Sequence, residues 1–150
     1  MGASGLVIGF DIQEIAIAST RERLASMGFL SRVSLHLTGH ETLGQELERI
    51  TPPRPIKGIV FNLGYLPMGE HALTTKPTST LSALAQGLSV LAPGGLLTVA
   101  VYPGHPVGAE EAGAVEHWAV NLDPDQVEIA TFRPLKTRRP SPWLLIVAKR

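Results

Sequence analysis

At 150 residues with no cysteine, the chain can build one globular domain that buries about 70% of its unfolded surface, without a disulfide framework or a thiolate nucleophile. Lys and Arg total 13 and Asp and Glu total 13, so any nucleic-acid partner has to meet a local basic patch on a chain of zero formal net charge. Apolar residues at 44% and charged residues at 17% describe an ordinary core, and no apolar run approaches the ~20 residues of a membrane span.

In chain order, Leu6 to Phe10 reads as a short strand ending at Asp11. Ile15, Ala18, Leu24 and Met27 then fall near helical spacing from Gln13 onward, with Gly28 as the stop. Arg32 to Leu37 alternates Val33, Leu35 and Leu37, which predicts a second strand. His40-Glu41 opens a short helix through Leu43, Leu47 and Ile50, ended by Pro52-Pro53. The third strand, Ile56 to Phe61, breaks into Asn62-Leu63-Gly64-Tyr65-Leu66-Pro67. After a polar loop, Thr78 or Ser79 caps a helix to about Leu91, and Ala92-Pro93-Gly94-Gly95 turns into the strand from Leu96 to Val101. Tyr102-Pro103-Gly104-His105 ends that strand, and a helix follows from Gly108 to about Asn121. Gln126 to Phe132 and Trp143 to Ala148 are the last strands, joined by a Pro- and Arg-rich connection.

Strand and helix alternate up to Asn121, then two strands follow with no helix between them. The alternation predicts a mostly parallel sheet with right-handed crossovers, and the closing pair predicts an antiparallel C-terminal hairpin. Together they outline an α/β, Rossmann-like class I methyltransferase sheet; another Rossmann-like domain with a different ligand fits the same pattern.

Open α/β sheets build their sites at the carboxyl ends of their strands. Asp11 there can accept from both ribose hydroxyls of a nucleoside, or can cap the helix that begins at Gln13. His40 and Glu41 stand where an adenine ring would lie, yet a carboxylate in a first helical turn is favoured by the helix dipole alone. Asn62 can accept from and donate to an amine, Gly64 permits close backbone approach, and Tyr65 offers a flat face for a base. The plain alternative is a loop whose amide satisfies its own turn. Tyr102 and His105 carry more weight with Asn62 if their strands neighbour. His105 is either the general base or a loop group bound to backbone, since an imidazole ordinarily titrates near neutral pH. His71 and His117 read as surface groups, and five scattered histidines without ligand spacing predict no metal site. Arg133, Lys136, Arg138 and Arg139 alternate with prolines, either as a solvated loop or as a phosphate-binding edge.

With these landmarks in place, the chain resembles the putative rRNA methylases, small bacterial methyltransferases associated with the aminomethyl group of modified wobble uridine in tRNA. The resemblance rests on Gly9-Phe10-Asp11-Ile12-Gln13, Gly39-His40-Glu41, Phe61 to Pro67, Thr74-Thr75 with Thr80, and Tyr102 to His105 followed by Gly108 and Glu111. It implies S-adenosylmethionine as cofactor, with Asp11 and Gln13 at its ribose and His40 and Glu41 by its adenosine. Asn62, Tyr65 and His105 would face the methyl donor and a primary amine. From the residues themselves, Gly64 is a candidate for the cofactor side, and Tyr102, Arg138 and Arg139 are candidates for the substrate side. The family begins with a further strand, glycine-bearing loop and helix, whereas only Met1 to Gly5 precede the Leu6 strand. The expectation is therefore one domain over residues 1–150, N-terminally truncated, with a missing central strand. A soluble cytoplasmic enzyme acting on tRNA is expected, with no membrane partner; a homodimer is one assembly open to it, and the sequence does not fix the oligomeric state. A non-catalytic RNA-binding module of the same fold and a small-molecule methyltransferase are the competing functions.

Overall fold

The computed structural model describes residue 2 and residues 4–49, 54–63 and 77–150. Strand β1 (Val7–Asp11) is followed by helix α1 (Glu14–Ser26), strand β2 (Val33–Leu37), a 3-10 turn (His40–Thr42) and helix α2 (Leu43–Glu48). Strand β3 (Ile56–Asn62), helix α3 (Pro77–Val90), strand β4 (Leu91–Val101) and helix α4 (Pro106–Val120) come next. Strands β5 (Val127–Phe132) and β6 (Trp143–Lys149) close the chain.

The strands form two ladders: a pair β1-β2, and four strands in the order β3-β4-β6-β5. Within the first, β1 and β2 are parallel, with Asp11 opposite Leu37. In the second, β3 and β4 are parallel, with Asn62 opposite Ala100. Strand β6 runs antiparallel to both β4 and β5. This is the mixed Rossmann-like sheet with a C-terminal hairpin that the alternation predicted. Among the described residues β1 and β2 pair only with each other, and β3 and β5 are the outer strands of the four-stranded ladder.

The core lies on one face of the four-stranded sheet. Along β4, Leu97, Val99 and Val101 are fully buried in the two-residue period of a strand, and Leu145 and Val147 continue that face on β6. Helices α3 and α4 cover it with Ala83, Leu84, Ala112, Val115 and Ala119. Small residues allow the close fit: a Cβ on Gly87 would meet Leu97, Ile59 and Phe61 side chains at 3.3–3.6 Å. The other face is barer, with Val60 of β3 at 80% exposure. Helix α1 buries no residue fully.

Local chemistry sets the boundaries. Gly28 takes φ +72° after α1, its N–H reaching the Ala25 carbonyl and the Phe29 N–H the Leu24 carbonyl, the paired bonds of a Schellman stop. Three boundaries differ from the sequence reading. Helix α3 starts at Pro77, ahead of Thr78 and Ser79, because a proline suits a first helical position whose N–H has no helical partner. Ala92 to Gly95 does not separate helix from strand: it bulges within β4, between the pairs Ile56–Leu91 and Gly58–Leu96, with Gly94 at φ +71°. Helix α4 begins at Pro106, two residues before Gly108, because His105 caps it. The expected stop at Pro52-Pro53 lies outside the described residues, as does most of the loop after Asn62. Among the described residues no helix is long and apolar enough to cross a membrane.

Candidate active site at the carboxyl ends of the strands

Parallel pairing brings the ends of β3 and β4 together. The Tyr102 hydroxyl donates to the Asn62 carbonyl oxygen Oδ1 over 3.0 Å, joining residues 40 apart in sequence. Both side chains are exposed at the sheet edge. The strand ends converge, which was the condition on which the pairing of Asn62 with Tyr102 rested. With its oxygen engaged, the Asn62 amide still presents N–H groups outward.

His105 stands three residues beyond Tyr102, where its Nδ1 accepts from the Gly108 N–H at 3.0 Å and caps α4. An Nδ1 lone pair used in this way leaves the neutral ring with its proton on Nε2, so the ring is a donor there and not an acceptor. A base role for His105 would require giving up the cap. The ring is held close: a Cβ on Gly108 would collide with the Tyr102 carbonyl and the His105 ring, so glycine is required by approach alone.

At the end of β1, Asp11 Oδ1 accepts from the Gln13 N–H at 2.8 Å, while Gln13 itself is the N-cap residue of α1 and uses no side-chain bond. Asp11 therefore makes an Asx turn ahead of α1 and is not its N-cap, because the helix starts one residue later than Gln13. Only one carboxylate oxygen is engaged in that turn, which is compatible with the nucleoside reading.

His40 follows β2 and packs its ring edge-on against Phe61 of β3, 5.9 Å between centroids. That contact ties the two ladders together next to Asn62. Burial holds the His40 imidazole below its ordinary pKa of 6.5, against the opposing pull of Glu41 and Glu111. Its Nε2 is buried and has no hydrogen-bond partner among the described residues. Glu41 is exposed, with its carboxylate turned back into the space that a Cβ on Gly39 would fill.

Three supports were not drawn out of the sequence. Gln86 of α3 accepts from the Gly44 N–H at 2.9 Å and donates to the Glu41 carbonyl at 2.8 Å, locking the His40 turn to the core helix. Thr80 donates to the Glu111 carboxylate at 2.6 Å, a buried link between α3 and α4. His36 is 2.9 Å from Glu46 and stacks on Phe10, fixing β2 between α2 and β1. Thr80 and Glu111 were visible as landmarks, though not as partners; Gln86 carried no signal beyond a polar residue in an apolar helix. Tyr65, Gly64 and His71 lie outside the described residues. Arg138 and Arg139 are exposed in the hairpin connection, as is Lys136.

The fold is that of a Rossmann-like domain, the class in which ligands lie across the carboxyl ends of the strands. A family model described as Putative rRNA methylase matches residues 7–148. The chain belongs to that family of S-adenosylmethionine-dependent methyltransferases. The structure resembles that of a putative rRNA methylase from Clostridium thermocellum with a TM-score of 0.90 at 34% identity, covering 100% of this chain and 78% of that one. It also resembles a putative methyltransferase of Streptococcus mutans solved with S-adenosylhomocysteine, with a TM-score of 0.85 at 34% identity over 97% of this chain and 76% of that one. A chloroplastic tRNA (mnm5s2U34)-methyltransferase of Arabidopsis thaliana is 36% identical over 154 residues, which cover 100% of this chain and 54% of the relative. The chain thus spans about half the length of that curated relative.

Proposed function

We propose that the protein transfers a methyl group from S-adenosylmethionine to the aminomethyl nitrogen of a modified wobble uridine in tRNA. The observation that carries this reading is the Tyr102–Asn62 bond, which sets an amide at the strand ends of a chain from this family. When bound, the cofactor supplies an electrophilic sulfonium methyl group. Asp11 would hold the ribose hydroxyls, and the turn that carries His40 and Glu41 would flank the adenosine. Asn62 orients the incoming amine, with Tyr102 fixing the amide rotamer. The lone pair of the amine held at Asn62 would receive the methyl group from sulfur, and the amine's surplus proton would pass to solvent at this exposed strand end. Positioning supplies most of the rate, so His105 acts here through the cap that shapes the loop, not as an obligatory base. Acceptance of a primary amine on a pyrimidine arm is supported by the name of the Arabidopsis relative.

Asn62→Ala is expected to cut methyl transfer to tRNA at least 100-fold while S-adenosylhomocysteine binding, read by calorimetry, stays within a few-fold. Equal loss of both would remove Asn62 from the acceptor side. A wild-type chain that binds S-adenosylhomocysteine and methylates small amines, uninhibited by bulk tRNA, would replace the RNA substrate with a small molecule.

A further inference from the structure

The connection between β5 and β6, residues 133–142, is anchored at its root and unengaged beyond it. Arg133 spends its charge within the fold: its guanidinium is 2.9 Å from the Glu116 carboxylate and 3.8 Å from the centre of the Trp143 ring. Lys136, Arg138 and Arg139 are exposed and make no hydrogen bond or ion pair with the described residues. No acidic residue follows Glu128, so the chain from Ile129 onward carries only positive side-chain charge. On a protein of zero net charge this is a strongly asymmetric distribution.

Its position matters as much as its sign. Trp143 pairs with Val101, the last residue of β4. The Pro140 carbonyl comes to 4.0 Å from where a Cβ on Gly104 would sit. The basic connection therefore lies against the Tyr102–His105 loop, at the rim of the candidate site. Pro134, Pro140 and Pro142 restrict its backbone, which lowers the entropy lost on binding. Phe132 is 73% exposed at the end of β5, where the connection begins. Flat ring and free cations together match a nucleic acid with unstacked bases better than they match an acidic peptide.

We propose that residues 133–142 form the phosphate grip for the RNA acceptor, with Lys136, Arg138 and Arg139 on the backbone of a loop segment and Arg133 as the anchor that holds them there. This rests on the RNA-methylating reading for its choice of ligand and on the geometry above for its location. Three phosphate contacts on a single strand give a slope of about −2 in log affinity against log salt.

The test is anisotropy of a fluorescein-labelled anticodon stem–loop with the full chain, between about 50 and 200 mM salt. The wild type is expected to lose about 20-fold more affinity over that range than K136A/R138A/R139A. R21A/R23A, which removes two exposed charges from α1, is expected to keep the wild-type slope. An unchanged slope in the triple variant, an equal drop in the α1 control, or no RNA binding by the wild type would each overturn the grip. Methyl transfer is measured separately: turnover on tRNA with an unchanged slope removes the grip alone. The expected slopes with no turnover sustain the grip and remove the methyl-transfer reading.

Discussion

His40 shows how one residue can be both a joint and a site group. Its ring spans the two ladders through Phe61, and its Nε2 is buried without a partner among the described residues. Burial keeps the folded-state imidazole neutral below its ordinary pKa of 6.5, so the folded chain resists a proton that the unfolded chain accepts. The stabilisation is fully present above that value and is lost as pH falls below it, toward the lowered folded-state pKa. Urea midpoints are therefore expected to drop between pH 7.5 and 5.5 in the wild type and to drop less in His40→Gln. Parallel pH profiles for the two proteins would assign the acid sensitivity to other groups. The sequence placed His40 at a strand–helix junction but could not show its orphaned nitrogen, which depends on Phe61 and Glu111 arriving from distant segments.

At the scale of elements, the β4–α4 junction is the tightest piece of construction. Tyr102 binds Asn62, His105 caps α4, and Gly108 leaves room for both the Tyr102 carbonyl and the imidazole. Gly108→Ala has to move either strand end or helix start. The expected result is a 10- to 100-fold loss of methyl transfer, with weakened cofactor-analogue binding if the displacement reaches the nucleoside side. Near-normal kinetics in that variant would show that the junction relaxes without disturbing Asn62. The strand ends were legible beforehand because apolar runs gave way to turn residues after Phe61 and Val101. The cap was not, since a histidine before a proline does not announce a helix start as Ser or Asp does. The bulge at Ala92 to Gly95 was misjudged for a related reason: Pro and Gly mark a backbone irregularity without saying whether a strand continues through it.

For the molecule as a whole, the described residues form two separate ladders, and β1, β2, β3 and β5 are their outer strands. A strand edge with free N–H and C=O groups is a template for pairing with another chain. Apolar side chains are also exposed on α1 and on a face of β3, with Ile15 at 70% and Val60 at 80% exposure. Association that grows with protein concentration is expected, and Ile15→Lys with Val60→Lys is expected to reduce it in light scattering. A wild-type chain that stays monodisperse across a 100-fold concentration range would show these edges to be covered in solution. Four-stranded ladder and helices α3 and α4 hold a dense core regardless, so the charge variants are expected to unfold at the wild-type urea midpoint.

The sequence by itself determined the element order, the parallel-then-antiparallel architecture and the residues standing at the strand ends, because these follow from local periodicity, turn chemistry and chain connectivity. Gly28 could be read as a helix stop from its own backbone freedom, with no knowledge of what it packs against. Only the tertiary structure decided which of those residues meet. The Asn62–Tyr102 bond, the Thr80–Glu111 pair and the Gln86 lock each join segments at least 31 residues apart, and Arg133 differs from Arg138 and Arg139 only through what lies beside it. Side-chain partnership of this kind depends on distances set by packing, which local pattern does not encode.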